Sequence, residues 1–135
     1  AFVAQVEFDK RLEESWYLDS GASYHMTANP TWIEEGTKTS VDPIQIRLGN
    51  GMIVQACETG DIKLDFKDED GWHPVTLNKV LIVPDIKANL LSVGYIQEKG
   101  CRVIFEQNEC KIEDIESMET VLKILKTPEG LQGGW

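Results

Sequence analysis

Short runs of alternating apolar and polar residues, separated by turn residues, constrain what this chain can fold into. The alternation covers 44–48 and again 52–56, and Gly49-Asn50-Gly51 lies between the two runs. Because Asn and Gly tolerate positive φ, this arrangement is typical of a tight turn between paired strands. It predicts a β-hairpin over 44–56 with its tip at 49–51.

The same reasoning predicts further short strands before and after the hairpin. They cover 16–18, 62–66, 75–77, 80–83, 103–105, 110–112 and 121–125. Residues 80–83 are continuously apolar, which indicates a strand that is buried on both faces. A helix is predicted over 89–99, ending at Gly100, and one helical turn within 30–36, capped by Asn29. The sum predicts a mainly-β fold, either a small barrel or a pair of packed sheets.

Length and charge limit the function classes. The 135 residues suit one domain, which we place at 14–126, with an N-terminal arm or linker over 1–13 and a C-terminal linker over 127–135. With 13 basic and 23 acidic residues, the net charge is −10. Phosphate backbones and anionic lipid repel such a chain, so we expect no direct nucleic-acid binding and no membrane binding. The three cysteines show no pairing pattern and are expected to be reduced thiols.

The sequence Asp19-Ser20-Gly21 is the strongest candidate for chemistry. It directly follows the apolar run 16–18, so it presents a carboxylate on a tight turn at the end of a strand. The Gly allows another backbone to approach closely. A carboxylate shielded by apolar neighbours is suited to act as a general acid or base. A plain Asp-Ser-Gly turn with no function has the same local sequence.

Three other interpretations of the nearby residues are weaker. Gly21 to His25 approaches the G-x-S-x-G elbow of serine hydrolases, but the final Gly is missing and no helix is predicted after Ser23. His25 and His73 lack the spacing of a metal site, so we expect no metal and no cofactor. The Gly49-Asn50-Gly51 segment is no phosphate-binding loop, because no further Gly and no helix follow it.

Three blocks of sequence resemble the protease of copia-type LTR retrotransposon Gag-Pol polyproteins. The first is 16–26, WYLDSGASYHM, which resembles the active-site segment of that family. The second is Leu48-Gly49-Asn50-Gly51 followed by Gly60-Asp61-Ile62, and the third is 80–93. The blocks occur in the family's order, and the resemblance covers roughly 14–115.

The resemblance implies a retropepsin-like fold, a closed β-barrel or sandwich with a flap hairpin and one helix in the C-terminal half, forming half of a pepsin-type bilobal site. Asp19 would be the catalytic aspartate, and the Ser20 hydroxyl would hold the two active-site loops together. Gly21 would complete this catalytic segment and line the peptide-binding groove. The hairpin over 44–56 would be the flap. The substrate-binding residues would be Ala22, Ser23, Gly49, Asn50, Gly51 and Val83.

The chemistry then implies a second chain. Peptide hydrolysis by this route needs two carboxylates that share a proton, and the sequence holds one Asp-Ser/Thr-Gly. We therefore expect a C₂ homodimer that cleaves peptide segments of its own polyprotein, in the cytoplasm within virus-like particles. The alternative function is a catalytically inactive binding or assembly module with the same fold.

Overall fold

The alternation in the middle of the chain forms two long paired strands in the computed structural model, which describes residues 2–8, 12–47, 51–68, 70–86 and 89–125. These residues form ten strands, a 3₁₀ turn at Pro30–Trp32 and a helix. The elements are β1 (Phe2–Phe8), β2 (Leu12–Asp19), β3 (Met26–Thr27), β4 (Thr39–Arg47), β5 (Ile53–Asp68), β6 (Gly71–Ile82), β7 (Asn89–Ser92), α1 (Val93–Glu98), β8 (Cys101–Phe105), β9 (Glu109–Asp114) and β10 (Thr120–Leu125).

The strands form two sheets. The larger sheet has the order β1-β2-β7-β3-β6-β5-β4, and the smaller one has the order β10-β9-β8. In the larger sheet, β1 also makes a short pairing with β5, which is the sixth strand in this order. The predicted mainly-β class is confirmed. Of the two arrangements that were predicted, a closed barrel or packed sheets, the described strands form two packed sheets.

The main core lies between the sheets. Trp16 from β2 stacks on Trp32 with ring centroids 5.6 Å apart, and both rings are buried. Buried residues of β5 and β9 complete the contact between the sheets, among them Ile62 and Ile112. A second cluster lies between the turn after β2 and the hairpin of β4 and β5. It contains Ala22, Met26, Ile46, Val54, Ala56, Leu81, Val83 and Ile86.

The prediction of a helix over 89–99 is wrong in its first four residues. Asn89–Ser92 forms strand β7, which pairs in parallel with β2, and the helix covers only Val93–Glu98. The parallel strand buries Leu91 in the core, and Ser92 then caps the helix by accepting the Tyr95 N–H. The predicted end of the helix at Gly100 is confirmed, since this residue has a φ of +83°.

Two local predictions are refined by partners that are distant in sequence. Within the segment predicted as an arm or linker over 1–13, Phe2–Phe8 is extended, as expected, but it also pairs with β2 along its whole length. The runs predicted separately at 52–56 and 62–66 belong, from Ile53 onward, to the single strand β5, which is irregular between Gly60 and Ile62. The predicted turn after Asn29 is confirmed as Pro30–Trp32.

Within the part of the chain that the structure describes, no helix has the length and hydropathy needed to cross a bilayer.

Candidate functional site

Asp19 is the last residue of β2, and the neighbouring parallel strand fixes its position. The register of β2 with β7 places Asp19 opposite Ser92. Trp16 and Leu18 hold β2 in the core, so the backbone that carries Asp19 is anchored on its apolar side. The chain leaves the sheet at once into a turn that contains Ser20 and Gly21. The predicted presentation of a carboxylate on a turn after a buried strand is confirmed.

The turn orients the carboxylate through one short hydrogen bond. The backbone N–H of Gly21 donates to Oδ1 of Asp19 at 2.7 Å. A Cβ atom at position 21 would lie 3.3 Å from the same oxygen, which is a tight contact. Glycine at this position therefore lets the backbone approach the carboxylate without displacing it. Ser20, between them, is exposed to solvent.

A buried hydrogen-bond network joins the turn to β7 and α1. The backbone N–H of Ser92 donates to Nδ1 of His25 at 2.9 Å, and its hydroxyl donates to the Ala22 carbonyl at 2.6 Å. The same hydroxyl accepts the Tyr95 N–H at 3.0 Å. Burial lowers the pKa of His25 from 6.5 to about 4, so the ring is neutral at pH 7 and accepts at Nδ1. His25 is thus a structural residue of the site.

An open cavity of about 440 Å³ lies in front of the Asp19 turn, and we call it the Asp19 cavity. Its walls come from the turn, from β3 and β7, and from the last residues of β4. They comprise Asp19, Gly21, Ala22, Ser23, Tyr24, Met26, Gln45, Ile46, Arg47 and Leu90. Four of the residues expected at the site therefore line one cavity. Gly51, Val83 and Ser20 are not among its lining residues.

The hairpin expected to act as the flap is confirmed as a hairpin. Next to the turn, Arg47 of β4 pairs with Ile53 of β5, and the pairing of the two strands extends to Thr39 opposite Thr59. Gly51 has a φ of +85°, as a turn glycine does. The expected tip residues Gly49 and Asn50 lie outside the described residues. Val83 is fully buried in the second core cluster, and its N–H donates to the Thr27 carbonyl at 2.8 Å.

Sequence reasoning did not identify Gln45, Arg47 and Leu90 as residues of the site. Gln45 and Arg47 lie in the last three residues of β4, before the hairpin turn, and that position is the one signal that points to them. The sequence predicts a helix at Leu90, and only the parallel pairing of Leu90 with Tyr17 places it beside the Asp19 turn. Their roles depend on pairings between distant segments, which local patterns do not contain.

The structure also bears on the alternative interpretations of this segment. Ser23 is followed by the short strand β3 and not by a helix, so the serine-hydrolase elbow is absent at this position. No group of three metal-ligating side chains occurs among the described residues.

Together, the fold and the site define a mainly-β domain that presents an aspartate on a strand-end turn, under a β-hairpin. The family model described as Pol polyprotein, beta-barrel domain matches residues 16–101, from β2 to the first residue of β8. The chain belongs to this family. It is also 28% identical over 103 residues to the retrovirus-related Pol polyprotein from transposon RE1 of Arabidopsis thaliana. That match covers 75% of the chain and 7% of the length of the polyprotein.

Proposed function

We propose that this chain is an aspartic endopeptidase of a copia-type LTR retrotransposon Gag-Pol polyprotein. The observation that carries the proposal is the Asp19 carboxylate on the wall of an open cavity, held by the Gly21 N–H at 2.7 Å. Relatedness to a retrotransposon Pol polyprotein supports it, because such a polyprotein contains peptide segments that must be separated. The retropepsin-like fold implied by the sequence blocks is part of the same proposal.

The chemistry requires a second carboxylate close to Asp19. An ionised carboxylate takes a proton from water while a protonated one polarises the scissile carbonyl. Two carboxyl groups in close contact do not both ionise, because their negative charges would repel each other. The pair therefore shares one proton and acts as acid and base together. The sequence has one Asp-Ser-Gly, so the second Asp19 comes from another copy of the chain in a C₂ homodimer.

The exposed Ser20 fits a role at the contact between the two turns. Ser20 is exposed, whereas Ala22, whose carbonyl belongs to the buried network, is buried. In the homodimer each hydroxyl would bind the facing turn and hold the two carboxylates at a fixed distance. The substrate would be an extended segment of the polyprotein, paired as an added strand with the hairpin and the cavity. The setting of this cleavage would be virus-like particles in the cytoplasm.

A paired cleavage assay tests the proposal. The parent chain and the variants Asp19→Asn and Asp42→Asn are each incubated with a precursor that extends beyond both ends of the domain, with and without pepstatin. Asp42 is an exposed carboxylate of β4 outside the Asp19 cavity, so its variant is the matched control. We expect specific cleavage by the parent and the control, inhibition by pepstatin, and a loss of about 10²–10⁴-fold in rate for Asp19→Asn.

Analytical ultracentrifugation of the same samples separates the possible failures. A monomer that cleaves at every concentration would contradict the shared site. A folded dimer that fails to cleave between acid and neutral pH would favour the alternative, a non-catalytic binding or assembly module. Because each chain carries a charge of −10, we expect added salt to strengthen the dimer.

A further inference from the structure

Arg47 is the one basic residue among those that line the Asp19 cavity. It is the last residue of β4, opposite Ile53 in the hairpin, and its side chain is exposed. Asp19 is the one acidic residue of the same wall. The two side chains form no ion pair with each other, so the cavity contains one separate charge of each sign.

Arg47 differs from four other basic side chains of the described residues, which are paired with carboxylates. These pairs, at 2.7 to 3.2 Å, are Lys38–Glu58, Lys63–Glu34, Arg102–Glu113 and Lys111–Glu106. Arg47 has no carboxylate partner among the described residues, in a chain with 23 acidic and 13 basic residues. Its guanidinium is therefore available to an anion that enters the cavity.

The rest of the wall shows what kind of ligand would bring that anion. Met26 and Ile46 are buried and Leu90 is half-buried, so they form an apolar floor. Gln45 adds an amide next to Arg47 on β4. A guanidinium binds a carboxylate through two parallel hydrogen bonds, which makes the contact selective for Asp and Glu. A peptide with an apolar side chain and a nearby acidic one matches these features.

We propose that Arg47 selects peptide substrates that carry an Asp or Glu side chain close to the scissile bond, next to an apolar residue. The inference rests on the proposed protease function and names the substrate preference of that site. In a C₂ homodimer each half of the groove has its own Arg47. The acidic preference would therefore occur at equivalent distances on both sides of the cut.

The test uses a synthetic library of 14-residue peptides with mixed sequence, and mass spectrometry of the products. The parent, Arg47→Gln, Arg47→Glu and Lys79→Gln are compared. Lys79 is an exposed lysine outside the Asp19 cavity, so its variant controls for the loss of one positive charge. We expect about tenfold enrichment of Asp and Glu near the cuts made by the parent and the Lys79 variant. The enrichment should be lost in Arg47→Gln and replaced by Lys and Arg in Arg47→Glu.

A binding measurement distinguishes failure of this inference from failure of the proposed function. Immobilised Asp19→Asn protein, with and without Arg47→Gln, is used to select peptides from the same library. Acidic peptides retained only when Arg47 is present would support the inference even if the parent cleaves nothing. Cleavage by the parent with no acidic preference would overturn it and leave the protease function intact. It would also be overturned if Arg47→Gln weakened the dimer without changing the peptides selected.

Discussion

Ser92 donates its backbone N–H to Nδ1 of His25 at 2.9 Å, between residues that are 67 positions apart in the chain. This bond holds the start of α1 against the segment that leads from the Asp19 turn into β3. Its acceptor is a ring nitrogen that is lost as an acceptor when the histidine is protonated. The position of the Asp19 turn is thus coupled to the protonation of one buried side chain.

The first prediction concerns the stability of the fold in acid. The pKa of His25 is about 4 in the folded chain and 6.5 in its ordinary state, so the unfolded chain binds more protons between these values. The free energy of unfolding should therefore fall as the pH drops from 6.5 to about 4, by roughly 3 kcal/mol from this group. Urea denaturation at pH 7, 5 and 4 measures this change.

The variant His25→Asn is the control for that pH dependence. The Asn side-chain oxygen takes the position of Nδ1 and accepts the Ser92 N–H without titrating. We expect its free energy of unfolding to fall less steeply than that of the parent over the same range. Some fall is expected in both proteins, because their carboxylates are also protonated in acid. Parallel pH profiles for the two proteins would show that His25 does not control acid stability.

The second prediction concerns Ser92 itself. Replacing Ser92 with Ala removes the cap of α1 and leaves the Ala22 carbonyl without its hydroxyl donor, both at a buried site. We expect a loss of about 1–3 kcal/mol in the free energy of unfolding, together with slower peptide cleavage. Ser117→Ala is the control, because this hydroxyl also accepts a backbone N–H, from Glu119, but is exposed. Equal losses in the two variants would contradict the role of the buried network.

The third prediction concerns Gly60, where β5 is irregular. A Cβ atom at this position would overlap Cγ2 of Ile33. We expect Gly60→Ala to lower the free energy of unfolding by about 1–3 kcal/mol. The double variant Gly60→Ala with Ile33→Ala should lose less than the sum of the two single variants, because the overlap is gone. Additive losses in thermal denaturation would show that the overlap is not the cause.

The fourth prediction concerns the buried hydroxyl of Thr27. This hydroxyl donates to Oδ1 of Asn89 at 2.8 Å and accepts the Asn29 N–H at 3.1 Å, so it joins β3 to the start of β7. Thr27→Val keeps the shape and removes both bonds, and we expect a loss of about 1–3 kcal/mol in the free energy of unfolding. Thr27→Ser keeps the hydroxyl and should lose less. The prediction fails if the Ser variant is the less stable of the two in urea denaturation.

Features that depend on neighbouring residues were predictable from the sequence. The hairpin of β4 and β5 is specified by its turn residues, and the turn after Asn29 is specified by a cap followed by Pro30. The end of α1 is specified by Gly100, which follows the C-cap residue Lys99 and has a positive φ. The Asp19 turn also belongs to this group, because its glycine and carboxylate are two residues apart.

Features that depend on distant partners were not predictable in the same way. Adjacent leucines at 90 and 91 suit a helix as well as a strand, and the parallel pairing with β2 decides between them. Strand β1 pairs with β2 through seven residue pairs, but the local sequence of β1 predicts only an extended arm. Arg47 joins the Asp19 cavity only because β4 folds back over the turn.

The parallel pairing of β2 with β7 also sets the order in which the domain can form. The contacts that hold the Asp19 turn and β3 come from residues 89 and 92, separated from their partners by 62 to 70 positions. The hairpin of β5 and β6, by contrast, closes between Asp68 and Gly71. Short loops close sooner than long ones. The hairpin of β5 and β6 can therefore form before the contacts of residues 89 and 92, and the site cannot be completed until Ser92 has left the ribosome.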